Sequence, residues 1–247
     1  MDLRAYLDRI GYHGSPDRTA ENLAVLLRCH LESVPFENLD FYNSPREMPL
    51  STEALYDKIV LRRRGGVCCE LNTLFGRLLE SMGYDCYPVL VRVVMPGAPA
   101  QISHQGIVAT VEGKRYYCDV GFGGPGPKGL VELDTQEHQQ IYGETFRVTK
   151  DPRGVTIWGA FPGGEVPILE MIDVPARYED FTVVLYYSTG YPNSYFLGRP
   201  IVNLCLPNGS KALTGNQLTI RRDGEMTRRI LETDAEIAEV LREEFGL

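Results

Sequence analysis

The sequence predicts an α+β fold in three parts: a helical first third, a middle of short strands, and a C-terminal unit of hairpins closed by a helix. Three observations carry this. Apolar residues recur at helical spacing as far as Met82. From Cys86 onward the texture changes to short Val- and Leu-rich runs punctuated by glycine and proline. Past Ile201, the dipeptides Asn208-Gly209, Gly215-Asn216 and Asp223-Gly224 separate strand-like runs, and each is a strong hairpin signal.

Asp2 is placed to cap a short first helix with Leu3, Tyr6, Leu7 and Ile10 on one face and a stop near Gly11. A second helix starts near Thr19 and carries Leu23, Leu26, Leu27, His30 and Leu31. It ends before Pro35, because the residue ahead of a proline disfavours helix. The link 34–40 reads as a loop that packs Phe36 and Leu39 locally. A third helix follows Ser51, with Leu55 and Ile59 inward. The fourth follows Arg64-Gly65-Gly66-Val67. It starts at the pair Cys68-Cys69, carries Leu71, Phe75, Leu78, Leu79 and Met82 as its apolar stripe, and stops at Gly83.

Strands are expected at 86–94, closed by Met95-Pro96-Gly97, and at 103–111 and 114–120, with the turn at Glu112-Gly113 or Gly113-Lys114. A glycine- and proline-rich loop over 121–129 precedes strand-like pieces at 146–149, 155–159 and 166–171. Such a pattern suits a barrel or a sandwich. The stretch 176–188 mixes a helix face (Tyr178, Phe181, Leu185) with strand-favouring residues, and is assigned as a bridging helix. The last strands are 201–206, 211–214, 217–222 and 225–231, and a capping box of Thr233 and Glu236 opens a final helix. The parts are therefore 1–84, 85–175, a bridge at 176–196, and 197–247.

A chain of 247 residues with 43% hydrophobic content can bury a sizeable core. The net charge of −8 argues against a general nucleic-acid or anionic-membrane surface. The six cysteines (29, 68, 69, 86, 118 and 205) show neither C-x-x-C pairing nor matching histidine spacing, so no metal site is expected. The first residues hold no long apolar run and no segment reaches membrane-spanning length, so a reducing cytoplasm is the expected compartment.

Cys68 and Cys69 fall at the first turn of a helix, where free N–H groups and the dipole favour a thiolate. They lie about 100° apart. Cys68 heads the apolar stripe and points into the protein, whereas Cys69 heads a polar flank through Asn72, Thr73, Gly76 and Arg77. Free cysteines also pack as small hydrophobes, so the pair alone does not decide for a nucleophile. A nucleophilic thiol wants a base and a group to orient it. His13 lies in a Gly-Ser turn, His30 beside a buried helix face, and His138 in a polar run. His104 opens a strand whose hairpin partner ends in Cys118-Asp119-Val120. With a two-residue turn at either place, His104 and Asp119 share one face, one or two pairs apart. The alternative for Asp119 is a strand-end carboxylate that caps the Gly121 loop. Cys68, His104 and Asp119 together make a cysteine-protease-like set for acyl chemistry, equally suited to a protease or an acyltransferase.

The run Arg64-Gly65-Gly66-Val67-Cys68, with Glu70-Leu71-Asn72, resembles the signature of the arylamine N-acetyltransferases, in their bacterial form. So do Pro35-Phe36-Glu37-Asn38-Leu39, Ser103-His104, Asp119-Val120-Gly121-Phe122-Gly123-Gly124, Ser194-Tyr195-Phe196 and Leu213-Thr214-Gly215-Asn216. The resemblance implies a helical bundle, a β-barrel and an α/β lid. It implies ping-pong acetyl transfer from acetyl-CoA through a thioester on Cys68, with His104 as base and Asp119 as its orienter. The acceptor would be an arylamine, arylhydroxylamine or hydrazine. By the same resemblance Phe36 and Phe122 would line the acceptor pocket, and Gly123 and Gly124 would lie against the CoA phosphates. Glu37, Arg64 and Asn72 would form a polar cluster bracing the cysteine loop. The sequence departs from the family pattern at Cys69, where an aromatic is common, at Gln105-Gly106, and over 125–130. Competing readings are an amide synthase of the same fold that releases a polyketide as a macrolactam, a thiol hydrolase, and a ligand-binding protein that has lost catalysis.

Overall fold

The computed structural model of the chain describes residues 1–95, 97–98 and 101–247. Its first part is helical. Helix α1 (Leu3–Ile10) is capped by Asp2, whose carboxylate accepts from the N–H groups of Arg4 and Ala5 at 2.9 and 3.2 Å. Helix α2 (Ala20–Ser33) is capped by Thr19 and ends two residues ahead of Pro35. The link expected as loop holds a two-residue strand, β1 (Phe36–Glu37). The third expected helix divides into α3 (Thr52–Tyr56) and a π-helical turn, Asp57–Leu61, which turns Lys58 inward. Helix α4 (Cys68–Ser81) follows the Gly65-Gly66 loop. Leu23, Leu26 and Leu27 of α2 pack with Leu71, Phe75 and Leu78 of α4 in the same buried core.

The middle part is a barrel of eight antiparallel strands: β2 (Asp85–Val93), β3 (Ile102–Val111), β4 (Lys114–Cys118), β5 (Val131–Glu132), β6 (Gln139–Ile141), β7 (Glu144–Asp151), β8 (Gly154–Phe161) and β9 (Gly164–Met171). Their order is β5-β4-β3-β2-β9-β8-β7-β6. The edge strands β5 and β6 are joined by one side chain. The Gln139 amide accepts from Glu132 N–H at 2.8 Å and donates to the Glu132 carbonyl at 2.9 Å, satisfying main-chain groups on an open edge. Of the predicted Met95-Pro96-Gly97 turn, Pro96 lies outside the described residues.

The β3–β4 hairpin pairs Val111 with Lys114, so its turn is Glu112-Gly113. Both turn residues have positive φ, 53° and 77°, as a two-residue turn matched to strand twist requires. Strand β4 ends at Cys118, not at Val120 as expected. Asp119 is already turning, because its carboxylate accepts the Gly121 N–H at 2.8 Å.

The bridge holds a short 3₁₀ turn, Tyr178–Asp180, and then α5 (Phe181–Gly190). Phe181, Val184, Leu185 and Ser188 are buried at helical spacing, and that packing overrides the local strand propensity. The last part comprises β10 (Ile201–Leu206), β11 (Gly209–Thr214), β12 (Gln217–Arg222), β13 (Glu225–Ile230) and α6 (Asp234–Phe245), which Thr233 caps. Its sheet reads β1-β10-β11-β12-β13, so the segment just after α2 supplies an edge strand to the C-terminal sheet. Among the described residues no helix is long and apolar enough to cross a membrane.

Candidate active site

The loop ahead of α4 is held from both sides. Glu37 N–H donates to Gly66 O at 2.9 Å, and Gly66 N–H to Pro35 O at 3.3 Å. A Cβ on Gly65 would stand 1.9 Å from the Pro35 carbonyl oxygen, so only glycine fits there. The Arg64 guanidinium binds Glu37 at 2.8 Å and Asp40 at 3.1 Å. Lys58, from the π-helical turn, reaches Asp40 and the buried Glu70, each at 2.8 Å. The other Glu70 oxygen accepts the Val67 N–H at 3.0 Å, which caps the helix that starts at Cys68. Burial would raise the Asp40 carboxyl, but Lys58 and Arg64 hold it below its ordinary range.

Asn72 does not belong to this cluster, contrary to expectation. It stands one turn beyond Cys68 and faces the barrel. Its Nδ2 donates to Gln105 O at 2.7 Å and to Asp119 Oδ1 at 2.9 Å, and its Oδ1 accepts the Val120 N–H at 3.0 Å. The flank expected to be polar is buried for the same reason: Cys69, Asn72, Thr73 and Gly76 are all enclosed, and Thr73 hydrogen-bonds Gln105.

The β3–β4 register, continued past Ile107–Cys118, sets Gly106 against Asp119 one pair on and His104 against Gly121 three pairs on. Asp119 leaves the ladder and closes the remaining gap. His104 Nε2 and Asp119 Oδ2 are 2.6 Å apart, with both side chains buried. Tyr117 O–H donates to the same oxygen at 2.8 Å. With Asn72 and the Gly121 N–H, that gives the buried carboxylate four partners, so its charge is kept. Burial works against ionisation of Asp119, but His104 outweighs it and the carboxyl lies below its ordinary range.

Cys68 lies against His104. The neighbouring Cys69 thiol, 3.9 Å away, and the His104 imidazole hold the Cys68 thiol well below the usual range, against the effect of burial. Burial and the nearby Cys68 push Cys69 well above it. Burial would lower His104, yet the Asp119 carboxylate and Cys68 raise it to about 10. The arrangement therefore favours a thiolate–imidazolium pair. Because Nε2 is taken by Asp119, Nδ1 is the nitrogen left to exchange a proton with sulfur.

Beside this set lies a cleft of about 520 Å³ between the barrel, the α2–β1 segment and the C-terminal sheet. Phe36, Phe122, Gly123 and Gly124 are on its walls, with Asp119. The Phe122 ring meets His104 edge-on, centroids 5.3 Å apart. Lys128 also lines the cleft, 3.5 Å from Glu144, and Arg221 of β12 faces it from the sheet. The other histidines lie elsewhere: His13 is exposed, His30 is buried against Tyr6 O–H at 3.0 Å, and exposed His138 pairs with Glu165. Among the described residues no group of three or more His, Cys, Asp or Glu is placed to hold a metal ion.

Sequence reasoning missed Tyr117, Lys58, Asp40 and Glu70. Gly106 was a usable signal for Tyr117. A Cβ there would come 2.3 Å from the Tyr117 ring, and glycine inside a strand marks such a close approach.

The N-acetyltransferase family model matches residues 19–247. The chain is 32% identical over 254 residues to the arylamine N-acetyltransferase of Mycolicibacterium smegmatis, covering 100% of this chain and 92% of that one. It is 30% identical over 251 residues to the arylamine N-acetyltransferase / N-hydroxyarylamine O-acetyltransferase of Salmonella typhimurium, with 99% and 88% covered. The solved Salmonella typhimurium structure superposes with a TM-score of 0.93 at 27% identity, covering 99% of this chain and 90% of that one. The Mycobacterium marinum enzyme, solved in complex with CoA, gives 0.91 at 33% identity, with 99% and 92% covered. The matches run through all three parts of the fold and through every segment that builds the site, and on that basis the chain is an acyltransferase belonging to the arylamine N-acetyltransferase family.

Proposed function

We propose that the protein carries acetyl from acetyl-CoA to an arylamine, arylhydroxylamine or hydrazine by way of a thioester on Cys68. The observation that carries this reading is the His104 imidazole, set between the Asp119 carboxylate at 2.6 Å and the Cys68 sulfur, beside an aromatic-walled cleft. The Cys68 thiolate attacks the acetyl carbonyl, and His104 Nδ1 returns the proton to the departing CoA sulfur. The acceptor nitrogen then attacks the thioester, His104 takes its proton, and Cys68 leaves as thiolate. Asp119 holds the imidazole orientation and stabilises its charge through both halves.

Phe36 and Phe122 suit an aromatic acceptor by apolar contact. The bare Gly123-Gly124 backbone, with Lys128 and Arg221 on the same cleft, suits the phosphates of CoA. The CoA complex of the Mycobacterium marinum relative supports this use of the cleft. Mass spectrometry after incubation with acetyl-CoA tests the reading. One acetyl group is expected on the wild type and none on Cys68→Ala, with discharge on adding an aromatic amine or hydrazine. An unmodified wild type, or a label confined to Cys69, would overturn it.

A further inference from the structure

Cys69 is a second thiol beside the nucleophile that acetyl transfer leaves unused. Its sulfur lies 3.9 Å from that of Cys68, and both belong to the first turn of α4. Two thiols so placed can be joined directly or through an intervening atom. A direct disulfide wants Cα atoms about 4.4–6.8 Å apart. Consecutive Cα atoms across a trans peptide stand only about 3.8 Å apart, so oxidation would distort the turn that positions the nucleophile. One soft atom between the sulfurs removes that demand. Zinc is a poor candidate, because it wants three or four protein ligands and no such group exists among the described residues. Trivalent arsenic needs only three substituents and brings one itself.

We propose that Cys68 and Cys69 form a dithiol site for aryl derivatives of trivalent arsenic, ArAs(OH)₂, bound through both sulfurs. The proposal rests on the arylamine reading in one respect. The walls that would receive the ring of an arylamine, Phe36 and Phe122, would receive the aryl ring of the arsenical, with arsenic where the amine nitrogen goes. Each thiol displaces one hydroxide: two As–S bonds form, two As–O bonds break, the two thiol protons leave in two waters, and arsenic stays trivalent. Cys68 reacts first, as the thiolate beside His104. Cys69 then closes the ring intramolecularly, and its proximity takes the place of concentration.

The test uses phenylarsine oxide, which hydrates to such an acid, with the whole chain and its Cys69→Ser and Cys69→Ala variants. The wild type should take one reagent per chain, and after unfolding in urea, which opens both thiols of the untreated chain, peptide mapping should find both Cys68 and Cys69 protected from maleimide. The adduct should survive excess glutathione and be released by 2,3-dimercaptopropanol. In the variants glutathione should strip it on the order of a hundredfold faster, the loss expected when two attachments become one. A wild-type adduct that leaves Cys69 open to maleimide overturns the proposal, as do variants that resist glutathione like the wild type. If neither variant folds, the wild-type mapping decides alone. A protein that captures arsenic through both sulfurs yet takes no acetyl from acetyl-CoA keeps the dithiol site and refutes the acyl-transfer reading. The converse result refutes only the dithiol site.

Discussion

Replacing Asp119 with asparagine keeps the shape of the site and deletes one charge. In the native site burial opposes the His104 imidazolium, and the Asp119 carboxylate overrides it, placing the pKa at about 10 against an ordinary 6.5. At roughly 1.36 kcal/mol per unit, that gap is about 5 kcal/mol in favour of the imidazolium, the net by which Asp119 and Cys68 outweigh burial. Without the carboxylate, burial prevails and His104 is neutral at pH 7. Cys68 then loses the cation that keeps it ionised. The assay is alkylation of Cys68 by iodoacetamide across pH, since the thiolate is the reacting form. The wild type should already react fast in mild acid and change again only near pH 10, where His104 loses its proton. In Asp119→Asn the rise should move into the ordinary thiol range, with alkylation at neutral pH slower by on the order of a hundredfold. Acetyl transfer should fall by on the order of 10⁴, as when the acid of a catalytic triad is neutralised. Superimposable alkylation profiles would refute the claim that Asp119 sets the charge of His104.

Gly106→Ala puts a methyl group 2.3 Å from the Tyr117 ring; the overpacking should cost about 1–3 kcal/mol, seen as a lower denaturant midpoint at unchanged slope, and an unmoved midpoint would contradict the crowding. Arg221→Ala should raise KM for acetyl-CoA about tenfold, the worth of one charge-assisted phosphate contact, with little effect on kcat; a fall in kcat at constant KM would count against the phosphate role. Burial pushes His30 down to about 3, so the unfolded chain binds its proton and the folded one does not. Its contribution to stability is therefore intact above pH 6.5 and lost as pH falls to about 3. Urea unfolding of His30→Gln should show a shallower decline over that window, and a slope equal to that of the wild type would argue against it.

The long helices and the C-terminal hairpins are legible in the sequence because their signals are local. Asp2, Thr19, Ser51 and Thr233 cap helices from one side chain each, and Asp223-Gly224 makes a turn in any context that permits a hairpin. The short strands are not legible. Phe36–Glu37, Val131–Glu132 and Gln139–Ile141 are too brief to show a period of two, and they exist because a distant partner is in place. Barrel and sandwich share one alternation. The ends of this sheet share one buried core and are bridged by the Gln139 amide on Glu132, a contact with no signature along the chain.

In the site, parity is legible and distance is not. A two-residue turn is enough to put His104 and Asp119 on one face, but strand geometry leaves them one same-face pair short of contact. The contact forms because Asp119 leaves the ladder, drawn by Tyr117, Asn72 and the Gly121 N–H. Among these, Asn72 ties two parts of the fold together. It follows Cys68 by four residues, so one face of α4 presents both the sulfur and the amide to the barrel. Any slide of α4 that withdraws Cys68 from His104 must also break the Asn72 bonds to Gln105, Asp119 and Val120. Each neutral bond is worth about 1 kcal/mol net, and the one to the carboxylate about twice that. The same slide would strand buried polar groups on both sides, and their desolvation adds to the penalty. The distance between the Cys68 sulfur and the His104 imidazole is thus fixed by the residue one turn away, at a position that the family resemblance assigned to a different cluster.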